Sequence, residues 1–217
     1  NKINHKTYVL AGDGCLMEGI SHETLSLAGH LKLKNLVLLF DNNSISIDGP
    51  TSLAVSDNHK KRFNSYCWDY LEINGHNHKE IFKALKKAQN SKRPIAISCK
   101  TTIGFGSPNK SGKASSHGSP LGEDEIKLVR KKLNWKYEPF EVPKNLFNEW
   151  KMIGEKASQR AKKHEDKYKK DFISETIPNL FNVSIEKAKS DYLKNLKPIA
   201  TRKSSEMFLD IVSKLPN

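Results

Sequence analysis

Two short apolar runs end on polar oxygens: Thr7-Tyr8-Val9-Leu10-Ala11 runs into Gly12-Asp13-Gly14, and Leu36-Val37-Leu38-Leu39-Phe40 runs into Asp41-Asn42-Asn43. Each run has the length of a buried strand. Between them, Ser21 to Leu31 has Leu25, Ala28 and Leu31 near helical spacing. The pattern predicts a β-α-β unit with oxygen ligands at the ends of both strands.

Further along, Trp68 to Ile73 reads as a strand closed by the Asn74-Gly75 turn. Lys79 to Gln89 reads as an amphipathic helix with Ile81, Phe82, Leu85 and Ala88 on one face, and Pro94 to Cys99 as another strand. A polar stretch from Ser56 to Lys61 leads into a helix through Tyr66. This alternation predicts an α/β fold, a parallel sheet flanked by helices, over roughly the first half of the chain. Thr101 to Gly122 shows no periodicity and is rich in Gly, Ser and Pro. Long structureless segments inside a compact domain are usually functional. Glu123 to Leu133 reads as a helix and Pro139 to Pro143 as an extended turn. Lys144 to Tyr192 is charged and helical, with Tyr168, Phe172, Leu180 and Phe181 as sparse anchors; Leu196 to Thr201 reads as a linker, and a helix begins at Arg202.

The composition bounds the function. Of the 217 residues 36% are hydrophobic, enough for one full core, and they concentrate in the first half. No apolar run approaches the ~18–20 residues of a bilayer-crossing helix, so no membrane association is expected. The formal charge of +13 raises nucleic-acid binding. The cations, however, are mostly Lys spread along the chain, without the arginine–aromatic interleaving of a nucleic-acid surface, so no nucleic-acid partner is expected. Cys15, Cys67 and Cys99 have no C-x-x-C spacing and suit a reducing compartment, as ordinary buried thiols.

The strand ends favour one chemistry. Mg²⁺ takes near-octahedral oxygen coordination with one or two protein side chains, leaving phosphate and water to complete it. Asp13 offers a carboxylate oxygen, Asn43 an amide oxygen and Ile45 a backbone carbonyl. Gly14, lacking a Cβ, lets a phosphate approach the backbone, and ligands of open α/β sheets bind beyond the carboxyl ends of the strands.

The wording of these segments is specific. Gly12-Asp13-Gly14-Cys15-Leu16-Met17-Glu18-Gly19-Ile20-Ser21-His22-Glu23 closely resembles the thiamine-diphosphate motif of transketolases. The likeness continues through Ser26 to Leu33, Asn43 to Gly49, Lys100 to Lys110 and Ser116 to Gly122, in order along nearly the whole chain, and is to the bacterial form of the enzyme. The resemblance implies a thiamine-diphosphate-binding fold: a diphosphate-binding domain over 1–143, a helical linker region over 144–198, and the start of a pyrimidine-binding domain over 199–217. Transketolases are much longer than this chain, so it is expected to be an internal segment, incomplete as an enzyme by itself.

By resemblance, Asp13, Asn43 and Ile45 hold Mg²⁺ or Ca²⁺, and Gly14, Asn43 and His117 meet the cofactor, thiamine diphosphate. His117 also assists catalysis and touches substrate, as a near-neutral imidazole can. Arg202 matches the arginine that grips a sugar phosphate, and Glu18 a glutamate of the dimer interface. The resemblance further implies a cytoplasmic homodimer that moves a two-carbon ketol unit between sugar phosphates. A related thiamine-dependent enzyme such as dihydroxyacetone synthase, and a noncatalytic remnant or binding subunit, are the rival readings.

Overall fold

The computed structural model describes residues 4–172, 176–194 and 197–214, with the side chains at 168–172, 176–178, 180, 181 and 212 outside that description. The expected anchors Tyr168, Phe172, Leu180 and Phe181 therefore lie outside the described side chains, as does Leu196 of the linker. The chain divides into two compact units, Asn1–Glu141 and Val142–Asn217.

The first unit is an α/β layer structure. Strand β1 (Thr7–Gly12) leads into a short helix α1 (Asp13–Met17) and then α2 (Gly19–His30), which returns the chain to β2 (Leu36–Asn42). A tight hairpin of β3 (Ile45–Ser46) and β4 (Gly49–Pro50) precedes α3 (His59–Ser65), β5 (Asp69–Asn74), α4 (His78–Gln89) and β6 (Ile95–Lys100). The sheet has the order β1-β2-β6-β5, and every pair is parallel. The β1–β2 register sets Gly12 beside Asp41, and β2–β6 sets Asn42 beside Lys100, so three strands end together.

Strand alternation fills both faces, as a parallel sheet requires. Leu38, Phe40 and Ala96 pack with Leu25 and Ala28 of α2, Phe63 of α3 and Trp68 on one side. Val37, Ile95 and Ile97 pack with Ala84 and Ala88 of α4 on the other. Trp68 Nε1 donates to the carbonyl of Leu25 at 2.8 Å, so the largest ring in this core is also hydrogen-bonded.

Several expectations are corrected. β1 is an edge strand, with Leu10 80% exposed, because only β2 pairs with it among the described residues. On α4, Phe82 faces out and Ala84 faces in, since the buried stripe runs 81, 84, 85 and 88. The thiols are not buried: Cys15 and Cys67 are exposed and Cys99 is half-buried.

After β6, residues 101–122 contain only a 3₁₀ turn at Ala114–Ser116, and α5 (Glu123–Lys132) follows. The second unit holds α6 (Lys144–Phe172), α7 (Thr176–Lys194) and α8 (Thr201–Ser213), with largely exposed described side chains. Among the described residues no helix is long and apolar enough to cross a membrane.

Candidate functional site

The ends of β1, β2 and β6 open on a cavity of about 810 Å³. Asp13, Gly14, Asn43, Ile45 and His117 all line it. Glu18, between α1 and α2, does not and is exposed; Arg202, second residue of α8, belongs to the second unit and is exposed there.

Asp13 is the organising group. It is 7% exposed, and its Oδ2 accepts the backbone N–H groups of Asn43 and Ser44, both at 3.1 Å. Oδ1 receives no hydrogen bond from the described residues. Burial pushes the Asp13 carboxyl above its ordinary value, an effect opposed by those two N–H groups and by nearby His59. A buried carboxylate with one bare oxygen is suited to a cation.

The turn after β2 is shaped by the same bonds. Ser44 takes a left-handed conformation (φ 63°), and Asn43 Oδ1 accepts the N–H of Ile45 at 2.9 Å. This local Asn turn fixes the amide at the cavity wall. Asn42 and Asn43 divide the work. Asn42 is 5% exposed and donates to Ser98 Oγ at 3.0 Å inside the sheet, while Asn43 faces the cavity. Ile47 is 71% exposed on the hairpin and lines the cavity.

A Cβ placed on Gly14 would meet nothing within 4 Å. The space above that residue belongs to the cavity. The long loop supplies the far wall. Thr102 N–H donates to His76 Nε2 at 2.9 Å, and the His76 ring stacks on Phe105 with centroids 4.0 Å apart. His117 follows the 3₁₀ turn, its N–H bonded to the Ala114 carbonyl at 2.8 Å, and its side chain is exposed toward the cavity.

Sequence reasoning missed Asp41, Thr101 and Ile103, which also line the cavity. Asp41 accepts from the Thr101 hydroxyl and from Asn43 Nδ2, the latter at 3.3 Å. The acidic residue beside the Asn pair was visible in the sequence; its meeting with Thr101 depends on β2 and β6 lying side by side. His59, packed edge-on to Phe40 at 4.8 Å, was also missed. Burial and then Arg62 push its pKa below the ordinary value, against the opposing pull of Asp13 and Asp57.

This is a parallel α/β domain whose strand ends build an oxygen-rich cavity. A family profile described as "Transketolase, thiamine diphosphate binding domain" matches residues 1–183. The transketolase of Buchnera aphidicola (Acyrthosiphon pisum) is 44% identical over 223 residues, covering 96% of this chain and 33% of that protein. Transketolase 2 of Escherichia coli is 44% identical over 222 residues, with the same shares of the two chains. The crystal structure of Campylobacter jejuni transketolase superposes with a TM-score of 0.79 at 37% identity, covering 98% of this chain and 34% of that one. The chain belongs to the transketolase family, and it spans about a third of the length of the curated relatives it matches.

Proposed function

We propose that this chain holds the diphosphate and metal end of thiamine diphosphate in a transketolase, which moves a two-carbon ketol unit from a ketose phosphate to an aldose phosphate. The observation that carries this is the meeting of Asp13, Gly14, Asn43, Ile45 and His117 around one cavity at the strand ends. Among the described residues no group of three His, Cys, Asp or Glu side chains is close enough to hold a metal alone. One carboxylate, one amide and a backbone carbonyl instead suit Mg²⁺ or Ca²⁺ whose other positions go to phosphate and water.

Asp13 supplies the charge that the cation neutralises, through the oxygen left bare by its own chain. Asn43 and the Ile45 carbonyl complete the protein's share. Gly14 leaves room for phosphate oxygens where a side chain would stand. Bound thiamine diphosphate supplies the carbon nucleophile and the electron sink. His117 holds or moves a proton at its imidazole, beside the reacting hydroxyls. Arg202 binds the sugar phosphate through its paired guanidinium donors.

Glu18 belongs to the interface of a cytoplasmic homodimer, where an exposed carboxylate on one protomer becomes covered by its partner. Residues 1–143 are the diphosphate-binding domain, 144–198 a helical linker region and 199–217 the opening of a pyrimidine-binding domain. The test uses the protein made from its native gene: intact mass, then ketol transfer from xylulose 5-phosphate to ribose 5-phosphate with thiamine diphosphate and Mg²⁺. A transketolase-sized product with cofactor-dependent turnover is expected. A product without such turnover would overturn the reading.

A further inference from the structure

Glu125 is the least expected charge in the first unit. It sits in the first turn of α5, only 8% exposed, and not on the cavity. Its carboxylate reaches away from its own helix into the loop that follows β6. Oε1 accepts the Ser107 hydroxyl and, at 2.9 Å, the Asn109 backbone N–H; Oε2 accepts Asn109 Nδ2, also at 2.9 Å. Ionised carboxylates are rarely buried unless their oxygens are filled, and here donors from a single loop fill them.

The bonds continue from that point. Ser107 Oγ accepts the N–H of Lys110 at 3.0 Å, and the Lys110 carbonyl accepts Ser116 Oγ at 2.6 Å. Ser116 lines the cavity and directly precedes His117. Lys110 Nζ donates to the Leu121 carbonyl at 2.8 Å, fastening the returning limb of the same loop. Close contacts leave the loop little slack. Gly104, at φ 63°, lies where a Cβ would stand 2.8 Å from Ser116 Oγ. Gly106, at φ 91°, lies against Leu133, the residue that caps α5.

We propose that Glu125 is a positioning residue for His117, acting through Ser107, Lys110 and Ser116 to hold the imidazole at the cavity. It touches no reacting atom. The proposal rests on the transketolase reading above, which makes His117 catalytic. A loop whose one regular element is a single 3₁₀ turn needs an outside anchor to fix a side chain to the tolerance that catalysis needs, where a displacement of 1 Å costs about 100-fold. A buried carboxylate anchored on a helix supplies that constraint.

The test is a double-mutant cycle on the native gene product: wild type, Glu125→Ala, His117→Ala and the pair, with Tm recorded for each. Glu125→Ala is expected to lower kcat/KM by about 10- to 100-fold in the wild-type background and to cost nothing further once His117 is alanine. Glu125→Gln is expected to keep kcat/KM within about 3-fold, because its carbonyl still accepts Ser107 and Asn109 N–H while the Asn109 amide rotates to accept from its NH₂. Equal losses in both backgrounds, or an unimpaired Glu125→Ala protein, would overturn the proposal. Should Glu125→Ala fail to fold, Glu125→Asp, one methylene short of its three donors, takes its place in the same cycle. Wild-type protein without ketol transfer would instead overturn the parent reading, and with it the role given to His117.

Discussion

Asp13 Oδ2 accepts the backbone N–H of Asn43 at 3.1 Å, a bond that ties the exit of β1 to the exit of β2. One oxygen of this carboxylate is thus structural and the other is free for a ligand. The two duties are separable. Asp13→Asn keeps an acceptor for Asn43 and Ser44 but removes the charge, so stability is expected to change by less than about 1 kcal/mol while Mg²⁺-dependent thiamine diphosphate binding is lost. Asp13→Ala strands both N–H groups and is expected to cost a further ~1–3 kcal/mol of stability. Titration calorimetry with Mg²⁺ and cofactor, beside urea unfolding, checks both. Cofactor binding by Asp13→Asn at wild-type affinity would remove Asp13 from the metal site.

Asn42 and Asn43 are expected to fail in opposite ways. Asn42→Ala leaves Ser98 Oγ, in a fully buried residue, without its donor, and should cost about 1–2 kcal/mol of stability with cofactor affinity intact. Asn43→Ala should weaken Mg²⁺-dependent binding with a smaller effect on unfolding. A cycle of Asn42→Ala with Ser98→Ala should return a coupling near 1 kcal/mol. Additive losses would show that the buried pair is not a unit.

Much of this arrangement was legible from local pattern. The apolar runs of β1, β2, β5 and β6 and the Asp13 and Asn43 strand ends were all visible, because strand length and terminal oxygens are local signals. The insertion of β6 between β2 and β5 was not, since strand order is set by packing between distant segments. Thr101 could not be read as a partner of Asp41 for the same reason. Helix α1 and the β3–β4 hairpin are too short to carry a period. The exposure of β1 escaped because an apolar run reports strand character, not how many neighbours the strand has.

A Cβ on Gly29 would stand 1.7 Å from the carbonyl oxygen of Tyr66 and 3.2 Å from the Trp68 ring. This helical glycine lets α2 press directly onto the segment that enters β5. Helix propensity alone would favour alanine by about 1 kcal/mol. The clash is with backbone, which cannot rotate away, so overpacking wins. Gly29→Ala is expected to destabilise by about 3 kcal/mol, a fall in Tm of roughly 6–12 °C, read by calorimetry. A rise in Tm would mean that α2 can shift off this contact at little cost.

The Glu125 anchor should also leave a signature in acid. Its carboxyl is pulled from an ordinary 4.5 down to about 2, first by the Ser107 hydroxyl and then by the Asn109 backbone and side-chain N–H groups. The folded state therefore binds this proton less readily than the unfolded state. Stability contributed by Glu125 is fully present above about pH 4.5 and is lost as pH falls through about 2. Glu125→Gln cannot titrate, so the stability difference between wild type and Glu125→Gln should be constant from pH 5 to pH 8 and should move in favour of the variant between about pH 4.5 and 2. Urea midpoints at matched ionic strength across that range provide the measurement. A difference that stays flat down to pH 2 would mean that Glu125 is not held by these donors, and that the loop carrying His117 is fastened elsewhere.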